Sequence, residues 1–238
     1  MSEVANVVAA IMRADSDALR VAANNVSNAQ GVAYRRQVQV RHLDFEGVAA
    51  AHGTVLQPEL PRTEVVVDTR PGTLRSTGEP LDVAIQGDGY FVVDTSAGEL
   101  LTRRGDFHVD QSGVLNAYTG DPVLGTEGVI RVPSGAARIA ADGTVRVGAT
   151  VAGHLRVVQP DSNLTARDDG LFAAAGGAAL PASTTAQLHQ GFLETSNVQP
   201  VQEMMHMMET VRHFEAGQRY MRAYDEMLDK AISDLGRI

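Results

Sequence analysis

Apolar residues near the start of the chain fall at Val4, Val8, Ile11, Ala18, Ala22 and Val26, with Leu19 beside them. Steps of three and four mark one face of a helix over residues 1–28, broken by Asp15. A second stripe closes the chain: Val201, Met204, Met208, Val211, Phe214, Met221, Tyr224, Leu228, Ala231 and Leu235. Its spacing is closer to a seven-residue seam than to a wide globular face, which favours coiled-coil packing. Asn197 or Ser196 suits the N-cap, and Pro200 suits the first turn, where its missing N–H has no partner to lose.

The middle has a different period. Val65–Val67, Val83–Ile85, Tyr90–Val93, Leu100–Thr102, Phe107–Val109, Val129–Val132, Val145–Val147 and Leu155–Val158 are β-branched, aromatic or leucine-rich runs. Turn signals separate them at Asp88-Gly89, Ser112-Gly113, Gly120-Asp121-Pro122 and Asp142-Gly143, as expected of many short strands. Residues 29–193 hold 21 of the 23 glycines and eight of the nine prolines, so two uninterrupted ends flank a punctuated centre. The pattern predicts an α+β chain. Residues 1–28 form the N-terminal helix, 29–79 an extended arm, 80–187 a central β domain, and 188–238 a lead-in segment and C-terminal helix. Residues 173–187 are small and polar and read as a connector.

Length adds a functional clue. A helix over residues 197–236 spans about 60 Å, against about 40 Å for residues 2–28. If the two pair, the longer one keeps a Met, Tyr and Leu seam that its own chain leaves open. Such a seam is buried against another chain or, as the blander alternative, against the β domain. The block Met204-Met205-His206-Met207-Met208 reads equally as core filler or as an adaptable contact surface, since unbranched thioethers repack against unlike neighbours.

Charge and chemistry narrow the function by exclusion. The net charge is −9, and every basic residue except Lys230 is an arginine, placed singly or in pairs. No basic face offers itself to nucleic acid or to anionic membranes. There is no cysteine, hence no disulfide or thiolate chemistry. No stretch approaches the ~18 apolar residues of a membrane span, and Glu3 stands where a secretory signal carries basic residues. Taken alone, that reads as cytoplasmic. Gly87-Asp88-Gly89 is a turn rather than a dinucleotide loop, because no third glycine and helix follow. Glu203 and His206 have the spacing of a di-iron helix but lack a second such pair, so they read as solvated flank positions, like His213. No catalytic residue, metal site or cofactor is expected. Two rivals stay open at this point: a secreted module whose β domain binds a carbohydrate or surface ligand, and an enzyme with dispersed acidic residues.

Three stretches resemble the family of flagellar rod and hook proteins. The first is Ala23-Asn24-Asn25-Val26-Ser27-Asn28 followed by Tyr34-Arg35. The second runs from Leu81-Asp82-Val83-Ala84-Ile85-Gln86-Gly87-Asp88-Gly89-Tyr90-Phe91 through Thr102-Arg103-Arg104-Gly105-Asp106-Phe107 to Gly113-Val114-Leu115. The third is Gly191-Phe192-Leu193-Glu194-Thr195-Ser196-Asn197-Val198, then Glu203-Met204. They lie in order and reach both ends. Length and the ending Asp229–Arg237 resemble the family's proximal rod members, with the distal rod members as the alternative. Ala33 departs from the glycine expected before the aromatic, which implies a different turn after the first helix.

The resemblance implies a structural subunit of a periplasmic tube, passed out through the flagellar type III export apparatus without a cleavable signal peptide. Its partners are then other copies of itself and other flagellar rod proteins. The expected assembly interface takes Val4, Val8, Ile11, Ala18, Ala22, Asn24, Asn25 and Asn28 from the first helix. From the last it takes Met204, Met208, Val211, Phe214, Met221 and Leu228. The asparagines are expected to cap carbonyls or to bridge to a neighbouring helix.

Overall fold

A computed structural model describes residues 2–42, 62–160, 164–167, 170–174 and 180–235. The chain is α+β, with helix α1 (Ser2–Ser27) and helix α2 (Pro200–Leu235) bounding a β-rich centre. It divides into two compact units. The helical unit comprises Met1–Ser27, Gln37–Val66 and Gln199–Ile238; the β-rich unit comprises Asn28–Arg36 and Val67–Val198.

In the helical unit α1 packs against α2 and against β1 (Gln37–His42). Strand β1 pairs with β2 (Arg62–Val67) in a two-stranded sheet. Both strands lie within the segment expected as an extended arm, and residues 43–61 of that segment fall outside the described residues.

The β-rich unit begins with β3 (Leu74–Ser76), β4 (Val83–Gln86), β5 (Tyr90–Thr95) and β6 (Gly98–Thr102). Then come β7 (His108–Val109), β8 (Leu115–Asn116), β9 (Leu124–Gly125), β10 (Gly128–Val129) and β11 (Ala137–Ile139). They are followed by β12 (Thr144–Val147), β13 (Thr150–His154), β14 (Val157–Val158), β15 (Leu164–Ala166) and β16 (Leu171–Ala174). The last are β17 (Gln187–Gln190) and β18 (Phe192–Glu194). A five-stranded antiparallel sheet, ordered β14-β5-β6-β16-β15, separates two apolar clusters. Phe91 and Val93 of β5 join Val83, Ile85, Leu115, Val123 and Val145 on one side. Tyr90 and Val92 join Leu101, Val158 and Phe172 on the other. A strand covered on both faces needs a continuous apolar run, which is why Tyr90–Val93 shows no alternation. The unit closes on itself, since β4 pairs with β17 and β3 with β18. Of the expected connector at 173–187, residues 173–174 end β16, Ala182 bridges Val158, and residues 175–179 lie outside the described residues.

The turn signals match the backbone. Gly113 and Gly143 take φ of 81° and 89°, beside Asp110 and Asp142. Asp110 Oδ1 accepts the N–H groups of Ser112 (2.8 Å) and Val114 (2.9 Å), and Asp142 Oδ1 that of Thr144 (2.9 Å). The Val114 N–H, then the Ser112 hydroxyl, hold the Asp110 carboxyl below its ordinary 3.8. The Thr144 N–H does the same for Asp142. With folded values below unfolded ones, this contribution is complete above about pH 4 and is lost as pH falls through the depressed folded values. The thermal midpoint of the β-rich unit is therefore expected to be flat down to about pH 4 and to fall below it. Asp110→Asn with Asp142→Asn should flatten part of that fall; an unchanged slope in differential scanning calorimetry would rule the two turns out as its source.

Ala33 adopts φ of 51°, the left-handed region that favours glycine. One local expectation needs correction. Neither Ser196 nor Asn197 takes the N-cap of α2, because Gln199 O accepts the first helical bond from Glu203 N. Asn197 is committed elsewhere: its Oδ1 accepts Arg36 N (2.7 Å) and its Nδ2 donates to Asp68 O (3.1 Å) and Arg70 O (2.8 Å).

Candidate assembly interface

Helices α1 and α2 run antiparallel. Asn25 Nδ2 donates to Glu203 Oε2 at 3.1 Å, and Asp15 Oδ2 lies 2.6 Å from His213 Nδ1. Farther along, a methyl group at Gly217 would stand 3.2 Å from Met12 Cγ, so the absent side chain lets Met12 seat against α2. The inward side of α2 carries Glu203, Met207, Thr210, Phe214, Gly217, Met221, Tyr224 and Leu228, all buried or half-buried. Their alternating steps of four and three are those of a heptad seam.

Polar layers interrupt this seam. Asn25 is fully buried, and besides Glu203 its amide donates to Gln37 O (2.8 Å) while its carbonyl oxygen accepts Gln37 N (2.9 Å). Asp15 is 3% exposed on the same face of α1. The Thr210 hydroxyl bonds back to His206 O at 2.8 Å, an economical way to bury it within its own helix. A buried polar group tolerates one register only, the one that supplies its partner. Glu203 is thus not the solvated flank residue expected from sequence: it is 2% exposed and turned to Asn25, whereas His206 faces outward.

A second stripe on α2 faces away from α1. Val201 (70% exposed), Met204 (48%), Met205 (54%), Met208 (57%) and Val211 (40%) form an open apolar strip over its first three turns. Val7 and Ile11 of α1 are exposed as well. The expected interface residues therefore separate into two sets. Ala22 and Asn25 are buried between the elements of the helical unit, and Val8, Ala18, Phe214, Met221 and Leu228 are half-buried. Ile11, Asn24, Asn28, Met204, Met208 and Val211 are exposed. The side chain of Val4 lies outside the described residues.

A different cluster sits wholly inside the β-rich unit. The Glu194 side chain is 1% exposed, between Arg35 (2%) and Arg103 (3%). Its Oε1 meets Arg35 Nη2 at 2.8 Å and accepts Gly72 N at 2.8 Å; its Oε2 accepts Arg103 Nε at 2.9 Å. Arg103 also donates to the carbonyls of Gly87 (2.9 Å), Gly89 (2.5 Å) and Ile85 (3.3 Å) and lies 5.7 Å from the Tyr90 ring centroid. Arg35 Nη1 donates to Arg70 O. Burial pulls the Arg35 guanidinium below its ordinary value, with Glu194 opposing, and pushes the Tyr90 phenol up.

Little here suits chemistry. Among the described residues no three His, Asp or Glu side chains are placed to share a metal ion, and no helix is long and apolar enough to cross a membrane. A cleft of about 600 Å³ lies between the turn at residues 109–113 and residues 131–137. Its one carboxylate, Asp110, is already engaged by the turn, and no aromatic ring lines it.

Comparison with known proteins places the chain. Residues 189–234 match the family described as flagellar basal body rod FlgEFG protein C-terminal, and residues 84–147 match the flagellar hook protein FlgE/F/G D1 domain. The chain belongs to this family of flagellar rod and hook proteins. It is 33% identical to the flagellar basal-body rod protein FlgF of Caulobacter vibrioides over 226 residues, 92% of each chain. Identity to the FlgF of Salmonella typhimurium is 37% over 225 residues, 87% of each chain. The flagellar basal-body rod protein FlgG of Bacillus subtilis is 29% identical over 251 residues, covering 90% of this chain and 92% of the relative. The chain is a flagellar rod protein, more like FlgF than FlgG.

Proposed function

We propose that this chain is a structural subunit of the proximal rod, lying in the periplasm within the drive shaft that transmits torque and encloses the export channel. Copies of itself and other flagellar rod proteins are its partners, and the flagellar type III apparatus exports it. The open strip Val201–Val211 carries the reading. Burying the exposed part of each side chain is worth about 1 kcal/mol, a strong incentive for another subunit to cover a helix whose opposite face is already satisfied. The antiparallel helix pair acts as a coiled-coil-like rod domain in the wall of the tube. Greater likeness to FlgF than to FlgG supports a proximal over a distal place. This role calls on no catalytic residue, metal, cofactor, nucleic acid or membrane insertion.

The absence of native cysteine makes a direct test available. Met208→Cys should react readily with a maleimide in the purified chain and at least tenfold more slowly in isolated basal bodies. Equal reactivity in both would leave the strip open to solvent in the assembly and defeat the proposal.

A further inference from the structure

We propose that the buried Arg35–Glu194–Arg103 triad is a clasp that fastens the segments through which the chain leaves the β-rich unit. It controls how firmly those segments are held, while the apolar clusters alone keep the β core folded. The chain leaves this unit between Ser27 and Asn28, Arg36 and Gln37, Val66 and Val67, and Val198 and Gln199. Each exit ends a segment tied to Glu194: residues 28–36 carry Arg35, residues 67–72 carry Arg70 and Gly72, and residues 193–198 carry Glu194 itself.

The three members divide the work. Arg103 is the fixed side, pinned by three carbonyls of the β4–β5 region. Glu194 is the bridge, with one carboxylate oxygen toward Arg103 and the other toward Arg35 and the Gly72 N–H. Arg35 is the moving side and binds the carbonyl of Arg70 as well. Backbone bonds cluster around them: Ala33 N to Glu194 O, Asp68 N to Arg36 O and Thr195 N to Thr73 O, all at 2.8 Å.

Charge and placement separate the triad from ordinary core. Two guanidiniums share one carboxylate, and Arg35 Nε finds no hydrogen-bond partner among the described residues. A buried pair of this kind adds little stability over apolar side chains of equal volume, yet it is costly to break and strict in geometry. None of the three belongs to either apolar cluster. What the triad adds is therefore position. On the rod function proposed above, twist passing along the chain between the units runs through these segments, and a clasp keeps them from sliding.

Hydrogen exchange on the purified full-length chain tests the clasp without reference to the rod. In Glu194→Gln, the amides of Ala33, Arg36, Asp68, Thr195 and Asn197 should exchange at least tenfold faster, while those of Leu115 and Val123 in the core change less than threefold. Arg35→Met, which leaves a neutral Arg103–Glu194 pair, should reproduce the selectivity in milder form. Arg156→Met, which breaks the surface pair with Glu99, should move neither set. Equal acceleration in both sets, or failure of both triad variants to fold, would make the triad part of the core and overturn the proposal. No acceleration at the five amides would overturn it too, by showing that backbone bonds hold the segments alone. Loss of motility with a selective pattern intact would support clasp and rod together; normal motility with that pattern would count against the rod reading only.

Discussion

Val211→Asp leaves the monomer folded and blocks its incorporation into the rod. In the free chain Val211 is 40% exposed on the outward face of α2, so the new carboxylate stays hydrated and costs within about 0.5 kcal/mol. In an assembled wall the same carboxylate enters a water-poor contact with no cation on its own strip, at several kcal/mol per subunit. The penalty recurs at every copy. Cells carrying the variant should be non-motile and lack complete basal bodies, while the purified protein keeps its thermal transition. Glu209→Ala and Asp229→Ala, both exposed and off the strip, should cost little by comparison. Motile cells with normal basal bodies containing Val211→Asp would show that the strip is not an assembly surface.

Asn25→Leu acts in the opposite place, inside the subunit. It removes two donated bonds and one accepted bond from a fully buried site and strips Glu203 of a partner. The cost to the helical unit is on the order of 3 kcal/mol. A helix pair of this size depends on its packing, so both helices should become protease-sensitive while the β-rich unit persists. Adding Glu203→Leu should recover part of the loss, because two leucines facing each other are cheaper to bury than a leucine facing a carboxylate. If circular dichroism and limited proteolysis show the double variant no more stable than Asn25→Leu alone, the two side chains are not coupled.

The helical ends and the strand-rich centre were legible because their periods differ so plainly. On α1 the inward positions Val8, Ala18 and Ala22 follow the apolar stripe, and on the distal part of α2 so do Phe214, Met221, Tyr224 and Leu228. In the first turns of α2 the apolar stripe does not mark the face against α1, for a specific reason. Methionine occupies 204, 205, 207 and 208, so two seam phases fit equally, and apolar Val211 favours the outward one over Thr210. The true phase is chosen by polar matching, Asn25 with Glu203 and Asp15 with His213. The break at Asp15 and the asparagines in the first stripe were the available signal: a polar residue in a seam asks for a polar partner at its level on the facing helix. The Arg35–Glu194–Arg103 triad had no comparable signal. Its members are far apart in sequence, and periodicity does not reveal which charges meet.

The closure of the β-rich unit also sets an order of events for a chain delivered amino-terminus first. Strand β5 finds β6 through a short hairpin as soon as both are free, a local and rapid step. Strands β3 and β4 must wait, because their partners are β18 and β17; Thr73 and Thr195, which bond to each other, stand 122 positions apart. Contacts of such separation form slowly, since the loop entropy is spent before any bond repays it. When they do form, α2 has still to emerge. The unit therefore cannot seal around a half-delivered chain, and its last lock closes just as the helix that presents the apolar strip becomes available.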